Sequence, residues 1–193
     1  MSSAENLTAN WSDRQQFIAR LREASGQAVE KCYQCGKCTA GCPIAPFMDL
    51  VPNRVMRLVQ LGQEEELLRA QSIWLCAFCS TCSVRCPRQI EVARVMDALR
   101  IMAGQRGMEP PGRAKRVALF YRNFLASVEA NGRLFEFGTM LGYNLRSGHP
   151  FQQLDAGLAM LRRGKLKFLP ERPAGQKEIK KIFTRIRELE GKG

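Results

Sequence analysis

Histidine is nearly absent from this sequence, and its scarcity limits the chemistry that the chain can perform. The 193 residues include one histidine, His149, which lies between a glycine and a proline in a predicted turn. Because acid–base and nucleophilic catalysis most often use a histidine beside a second reactive group, neither is favoured. Glycine-rich phosphate-binding patterns are also missing, so the sequence gives no signal for nucleotide or flavin binding.

Long hydrophobic runs are missing as well. No segment approaches the ~20 consecutive apolar residues that are needed to span a bilayer. The polar start of the chain shows no basic segment followed by an apolar core, the pattern that directs export. We therefore predict a cytoplasmic protein without a transmembrane segment. A hydrophobic content of 45% over this length allows one or two small domains.

Acidic residues are few compared with basic ones. The sequence has 18 aspartates and glutamates against 30 lysines and arginines, a formal net charge of +12. Such a surplus favours acidic partners or nucleic acid. No pattern of stacking aromatic residues and no helix-turn-helix signature accompanies the charge, so we predict no nucleic-acid binding and favour docking to acidic proteins.

Cysteine is absent outside two short repeats, which share one spacing. Residues 32–43 and 76–87 both read C-x2-C-x2-C-x3-C-P. This is the spacing of bacterial ferredoxins, in which the fourth cysteine of each run binds the other cluster. We therefore predict two [4Fe-4S] clusters, the first held by Cys32, Cys35, Cys38 and Cys86 and the second by Cys76, Cys79, Cys82 and Cys42.

The spacing has a physical basis. Three thiolates at i, i+3 and i+6 can wrap three iron corners of a cubane, and the fourth corner needs a ligand from elsewhere. Cys42 and Cys86 each precede a proline, so we expect them to begin helices and to point away from their own loops. Gly36 and Gly41 should let the backbone approach the sulfurs and donate amide hydrogen bonds to them.

Other interpretations of eight cysteines stay open. Zinc sites usually use two separated C-x2-C pairs, and disulfide frameworks belong to short secreted chains. A cluster enzyme commonly leaves one iron without a cysteine ligand, whereas this count supplies four cysteines to each cluster. We therefore favour an electron-transfer subunit that is not an enzyme by itself. The alternative from another class is a zinc-stabilised nucleic-acid-binding protein.

Helical patterns fill the rest of the chain. Between the cysteine repeats, apolar residues at helical spacing predict helices where small bacterial ferredoxins have short strands. Further helices are expected at about residues 12–25, 90–102, 117–131, 134–145, 151–163 and 176–190, with an extended segment at 165–170. The predicted fold class is all-α, an alpha-helical ferredoxin module followed by additional helices.

The clearest boundary lies at residues 108–112, where two prolines and a glycine break helical structure. We divide the chain into an N-terminal arm and helix at 1–27, a two-cluster helical ferredoxin domain at 28–107 and a helical partner-docking region at 108–193. Ile73, Trp74 and Phe78 are expected to pack in the core and to keep water from a cluster. The last helix is basic and amphipathic, which suits packing on protein more often than on a membrane.

The cysteine repeats and the helical insert between them resemble HdrC, the two-cluster iron-sulfur component of heterodisulfide reductase, over about residues 28–103. Residues 158–170 resemble the C-terminal region of that family more weakly. The resemblance implies a helical ferredoxin subunit of a hetero-oligomer. Such a subunit relays electrons between an A-type component, which contains flavin and iron-sulfur clusters, and a catalytic B-type component, which reduces the disulfide.

An alternative within the same class is the iron-sulfur subunit of a succinate dehydrogenase-like or glycolate oxidase-like complex. Subunits of the succinate dehydrogenase type carry further cysteines upstream for a 2Fe-2S cluster. This sequence has no cysteine before Cys32, so the first of these two possibilities is disfavoured.

Overall fold

The computed structural model describes residues 11–148, 157, 159–160, 162–164, 169–170 and 173–190. Within these residues all regular elements are helical, which confirms the all-α prediction. His149, the first ten residues, and most of the expected helix at 151–163 and extended segment at 165–170 lie outside them. No helix in the described part is both long and apolar enough to cross a bilayer. The chain divides into two compact units, residues 1–115 and 116–193.

The first unit contains short and medium-length helices joined by tight turns. Two short 3-10 turns, Val29–Lys31 and Ala45–Phe47, stand between them. In chain order the helices are α1 (Trp11–Ser25), α2 (Lys37–Ala40), α3 (Pro52–Leu61), α4 (Glu64–Arg69), α5 (Ser72–Leu75), α6 (Thr81–Val84) and α7 (Val92–Gln105).

Helix α3 shows how sequence signals determine an element. Pro52 stands in its first turn, where the missing N–H costs nothing. Gly62 ends the helix in the left-handed conformation, with φ of 71°, and its N–H bonds back to the helix. A Cβ at Gly62 would lie 2.9 Å from the Cα of Arg14, so α1 passes directly over this glycine. The expected end of the helix at Gly62 is confirmed.

Helix α7 forms the centre of the first unit. It packs against α1, α4, α5 and α6. Its inward face includes Val95, Met96 and Leu99, all almost fully buried, and it meets Phe17 and Leu21 of α1 in one core. Each such side chain contributes about 1.5–3 kcal/mol when fully buried. The core therefore gives the loops between these helices a rigid support.

Charged groups hold the ends of three segments together. Glu64, at the start of α4, accepts hydrogen bonds from Arg20 of α1 at 2.8 Å and from Arg106, just after α7, at 2.6 Å. Arg106 also pairs with Glu65 at 3.0 Å. Glu64 is 17% exposed, so this pair of contacts is less screened by water than a free surface ion pair.

The second unit contains α8 (Ala114–Asn131), α9 (Glu136–Arg146) and α10 (Gln176–Glu190). The expected helices at 117–131 and 176–190 are confirmed. Among the described residues from 116 onward, the buried ones are polar, Asn123 and Thr139, whereas Leu125 and Leu145 are 51% and 61% exposed. Arg146 donates a hydrogen bond to Asn123. The described part of this unit therefore has no fully buried apolar residue.

Candidate iron-sulfur site

The two cysteine loops, 44 residues apart, have left-handed residues at the same two positions. Gln34 and Phe78, the third residues of their runs, have φ of 62° and 53°, and Gly36 and Ser80 have φ of 75° and 58°. Each loop contains a one-turn helix, α2 or α6, which carries its third cysteine. Left-handed residues at these positions turn the chain sharply between successive cysteines. Of these four residues, only Gly36 is of a type that readily adopts a left-handed backbone, so only Gly36 could have indicated this conformation from the sequence.

The prolines after Cys42 and Cys86 begin turns, so the expectation of helix starts there was wrong. The Cys42 carbonyl accepts a hydrogen bond from the N–H of Ala45 at 3.3 Å, and the Cys86 carbonyl accepts one from Gln89 at 3.0 Å. Both are β-turns with proline in the second position. The fixed φ of proline suits this position as well as it suits the first residue of a helix. The following α-helices begin later, at Pro52 and Val92.

Four of the predicted ligands line one small cavity. Its walls contain three cysteines of the first loop and one from the second repeat, together with apolar residues such as Met56 and Ile90. The four are Cys32, Cys35, Cys38 and Cys86. The Ile90 N–H lies 3.3 Å from the Cys86 sulfur and donates to it. Four thiols facing an apolar cavity fit the four iron corners of a cubane, and the amide fits the hydrogen bonds that such sulfurs accept.

The remaining cysteines form a second neighbourhood. Burial raises the pKa of the Cys76 thiol, and nearby Cys82 and Cys42 raise it further. Burial also raises the pKa of Cys38, and the nearby Cys32 and Cys82 raise it further. Cys38 and Cys82 thus lie between the two sets, where α2 packs on α6.

No three Cys, His, Asp or Glu side chains of the described part come close enough together to chelate one metal ion. A four-iron cluster lies between its thiolates and needs them farther apart than a single ion does. The structure therefore brings together the predicted first set, places Cys42 near Cys76 and Cys82, and leaves the complete ligand assignment as a prediction.

The two sets each have an exposed edge. Cys35 and Cys79 are exposed, while the other six cysteines are partly buried. The Thr81 hydroxyl, hydrogen-bonded to the Cys79 sulfur, lowers the pKa of that thiol. Phe78 is 48% exposed and has no place in the core, which corrects the expectation for it, whereas Ile73 is fully buried.

Several positioning residues carried no recognisable sequence signal. The Gln60 side chain donates to the carbonyl oxygens of Val29 and Cys32, at 3.2 and 2.7 Å, and so fixes the start of the first loop. The Arg85 side chain lies where a Cβ on Gly41 would be, 2.5 Å from it, so the second loop covers the first beside Cys42.

Asp49 fixes the approach to the second loop. Its carboxylate accepts hydrogen bonds from the N–H groups of Gln71 at 2.8 Å and Ser72 at 3.0 Å, and from the Ser72 hydroxyl. Partial burial alone would raise the pKa of Asp49, but the Ser72 hydroxyl and the backbone N–H groups together hold it below its usual value. These bonds anchor the start of α5, which leads directly into Cys76.

Comparison with known proteins agrees with this geometry. Residues 31–91 match the family described as a 4Fe-4S dicluster domain. An iron-sulfur subunit of CoB–CoM heterodisulfide reductase from Methanocaldococcus jannaschii is 33% identical over 127 residues, which cover 66% of this chain and 67% of that protein. The chain belongs to the HdrC family of heterodisulfide reductase iron-sulfur subunits. Its cofactors are accordingly of the 4Fe-4S class.

Two further relatives are similar over shorter stretches. The iron-sulfur subunit of CoB–CoM heterodisulfide reductase from Methanopyrus kandleri is 31% identical over 60% of this chain and 59% of its own length. The corresponding subunit of the H2:CoB–CoM heterodisulfide, ferredoxin reductase from Methanothermobacter thermautotrophicus is 28% identical over 55% of this chain. The chain spans 58% of that relative, somewhat more than half.

Proposed function

We propose that this chain is an electron-relay subunit of a heterodisulfide reductase-type complex. In this proposal it takes single electrons from the flavin-containing component and passes them to the catalytic component, which reduces a disulfide. The observation that carries it is the cavity lined by Cys32, Cys35, Cys38 and Cys86, in a chain of the HdrC family. The chain is not a catalyst by itself, because all eight of its cysteines are used as ligands.

The proposed ligand sets are crossed. Cys32, Cys35, Cys38 and Cys86 would hold one [4Fe-4S] cluster, and Cys76, Cys79, Cys82 and Cys42 a second. When bound, such clusters supply one-electron redox chemistry. In this proposal the two sets lie side by side at Cys38 and Cys82, where α2 packs on α6. A short path between the sets favours rapid transfer across the subunit.

Exposure of one ligand in each set supports the relay. Cys35 and Cys79 are exposed, whereas Cys86 and the other ligands are partly buried. Each set therefore has one edge that a partner can approach. A catalytic site would instead need an iron corner without a cysteine ligand.

The experiment compares four serine variants of the anaerobically purified full chain. The wild type should contain about eight irons and give the EPR signal of two coupled clusters after reduction with dithionite. Each variant should lose about half the iron. With crossed ligands, Cys42→Ser should leave the same remaining spectrum as Cys79→Ser, and Cys86→Ser the same as Cys35→Ser. The opposite pairing would refute the crossed assignment, and a wild type containing zinc instead of iron would refute the relay.

We also propose that residues 108–193 dock the partner proteins, with residues 1–27 serving as an arm and helix and residues 28–107 as the cluster domain. The support is the exposed apolar surface of the second unit, which includes Leu125 and Leu145. Replacing Leu145 with serine should weaken partner binding at least tenfold while leaving the iron content unchanged. Unchanged binding would argue against a docking role for α9.

A further inference from the structure

A large cleft opens beside the first cysteine loop. It has a volume of about 1010 Å³ and lies among α1, the 3-10 turn at Val29–Lys31, the first loop and α3. Cys32 forms part of its wall, and Tyr33 stands at the same wall, 60% exposed. An occupant of this cleft would therefore lie directly against a proposed ligand of the first cluster.

The walls of the cleft are mainly positive. They carry Arg14 and Arg22 from α1 and Arg57 from α3, and Glu30 is the carboxylate that faces them among the described residues. Arg22 already pairs with Glu30 at 3.1 Å. Arg14 and Arg57 thus present their charges to a cleft that offers them no further carboxylate from the described part of the chain. A negatively charged occupant would pair with these two guanidinium groups.

Arg14 is held in place before any occupant arrives. Its stem lies over Gly62, with Cγ 2.5 Å from where a Cβ would stand, and its guanidinium lies 5.0 Å from the ring centre of Trp11. Its Nε is buried and has no hydrogen-bond partner among the described residues. A partner's carboxylate cannot reach this buried nitrogen and would pair with the terminal nitrogens of the guanidinium instead. Fixing the side chain in advance also lowers the entropy lost on binding.

We propose that this cleft receives an acidic segment of an electron-transfer partner, with carboxylates bound by Arg14 and Arg57. The inference rests on the proposed function and adds the place and chemistry of one docking contact. Charge complementarity selects a carboxylate-bearing segment, while Ile18 and Val29 provide apolar walls for the side chains beside it. A partner seated here comes close to Tyr33 and to the first cysteine loop. Docking in the cleft thus brings the partner against Cys32, a proposed ligand of the first cluster.

The experiment measures binding of the full, cluster-loaded chain to the flavin-containing and catalytic components encoded in the same genome. Arg57→Gln is compared with Arg54→Gln, which makes the same charge change on the same helix outside the cleft. Biolayer interferometry at several salt concentrations gives Kd, and stopped-flow absorbance gives the electron-transfer rate. Iron content and EPR spectra verify that each variant is loaded.

We expect Arg57→Gln and Arg14→Gln each to weaken binding to one of the two components at least tenfold and to flatten the salt dependence. Arg54→Gln should bind as the wild type does, and Arg57→Lys should recover part of the loss because it keeps the charge. Equal Kd values for the cleft variants and Arg54→Gln would overturn the inference while leaving the relay intact. A wild type that binds neither component would overturn the proposed function, and this inference with it.

Discussion

Replacement of Gly62 by alanine tests the close packing of α1 on the end of α3. The substitution places a Cβ at a residue whose φ is 71°, which costs about 1 kcal/mol for a residue other than glycine. The new atom would also stand 2.9 Å from the Cα of Arg14, and backbone cannot rotate away as a side chain can. Helix α1 must therefore shift, and it carries the fully buried Phe17 and Leu21. Overpacking of this kind adds about 1–3 kcal/mol.

The chain offers a matched control in Gly26, the glycine that ends α1. Its φ is 67°, and a Cβ there would meet nothing within 4 Å. Gly26→Ala therefore carries the conformational cost alone. With about 4 °C of melting temperature per kcal/mol for a unit of this size, Gly26→Ala should lower the apparent Tm by about 4 °C and Gly62→Ala by about 8–16 °C.

Thermal unfolding of the cluster-loaded protein, followed anaerobically by circular dichroism and by cluster absorbance, measures both variants. Loss of the clusters makes unfolding irreversible, so all proteins must be heated at the same rate. Equal decreases in Tm for the two glycine variants would refute the reasoning. They would show that the close contact with Arg14 adds nothing to the cost of placing alanine in a left-handed conformation.

Two further predictions concern the loops. Ser80→Gly should raise the apparent Tm by about 4 °C, because it removes about 1 kcal/mol of left-handed strain at a residue with φ of 58°. A Tm below that of the wild type would contradict this and show that the serine side chain stabilises the loop. Asp49→Asn should cost about 1–3 kcal/mol at neutral pH, because it weakens the acceptor of the Gln71 and Ser72 hydrogen bonds. Since the pKa of Asp49 is lowered in the folded state, its contribution is present above the ordinary aspartate pKa of about 4 and is lost as pH falls through the lower folded value. The difference in unfolding between wild type and variant should therefore shrink in acid, and a constant difference would show that the charge is irrelevant.

The sequence predicted most of the described helices, because apolar spacing is a local pattern, and it supplied ligand candidates whose assignment to two clusters stays a prediction. Apolar spacing and the glycine at 62 placed α3, and cysteine spacing indicated the sets. The conformations between the cysteines were not predictable in this way. Ser80 and Phe78 adopt left-handed backbone that their side chains disfavour, and only the surrounding fold holds them there. Contacts distant in sequence, such as Asp49 with Ser72, also depend on the tertiary structure.

The cysteine loops and the helical core contribute differently to a bound cluster: the loops supply the thiols, and the core keeps them in place. Burial raises the pKa of the Cys38, Cys76 and Cys82 thiols, so the folded chain disfavours the thiolates that iron requires. Ligation by iron would offset this cost, since a metal deprotonates a coordinating thiol. The helical core, with α7 at its centre, supplies the rigidity that keeps those thiols in place. Filling of the proposed sites would therefore stabilise the loops most, where left-handed residues store strain and where the thiols must lose their protons to bind iron.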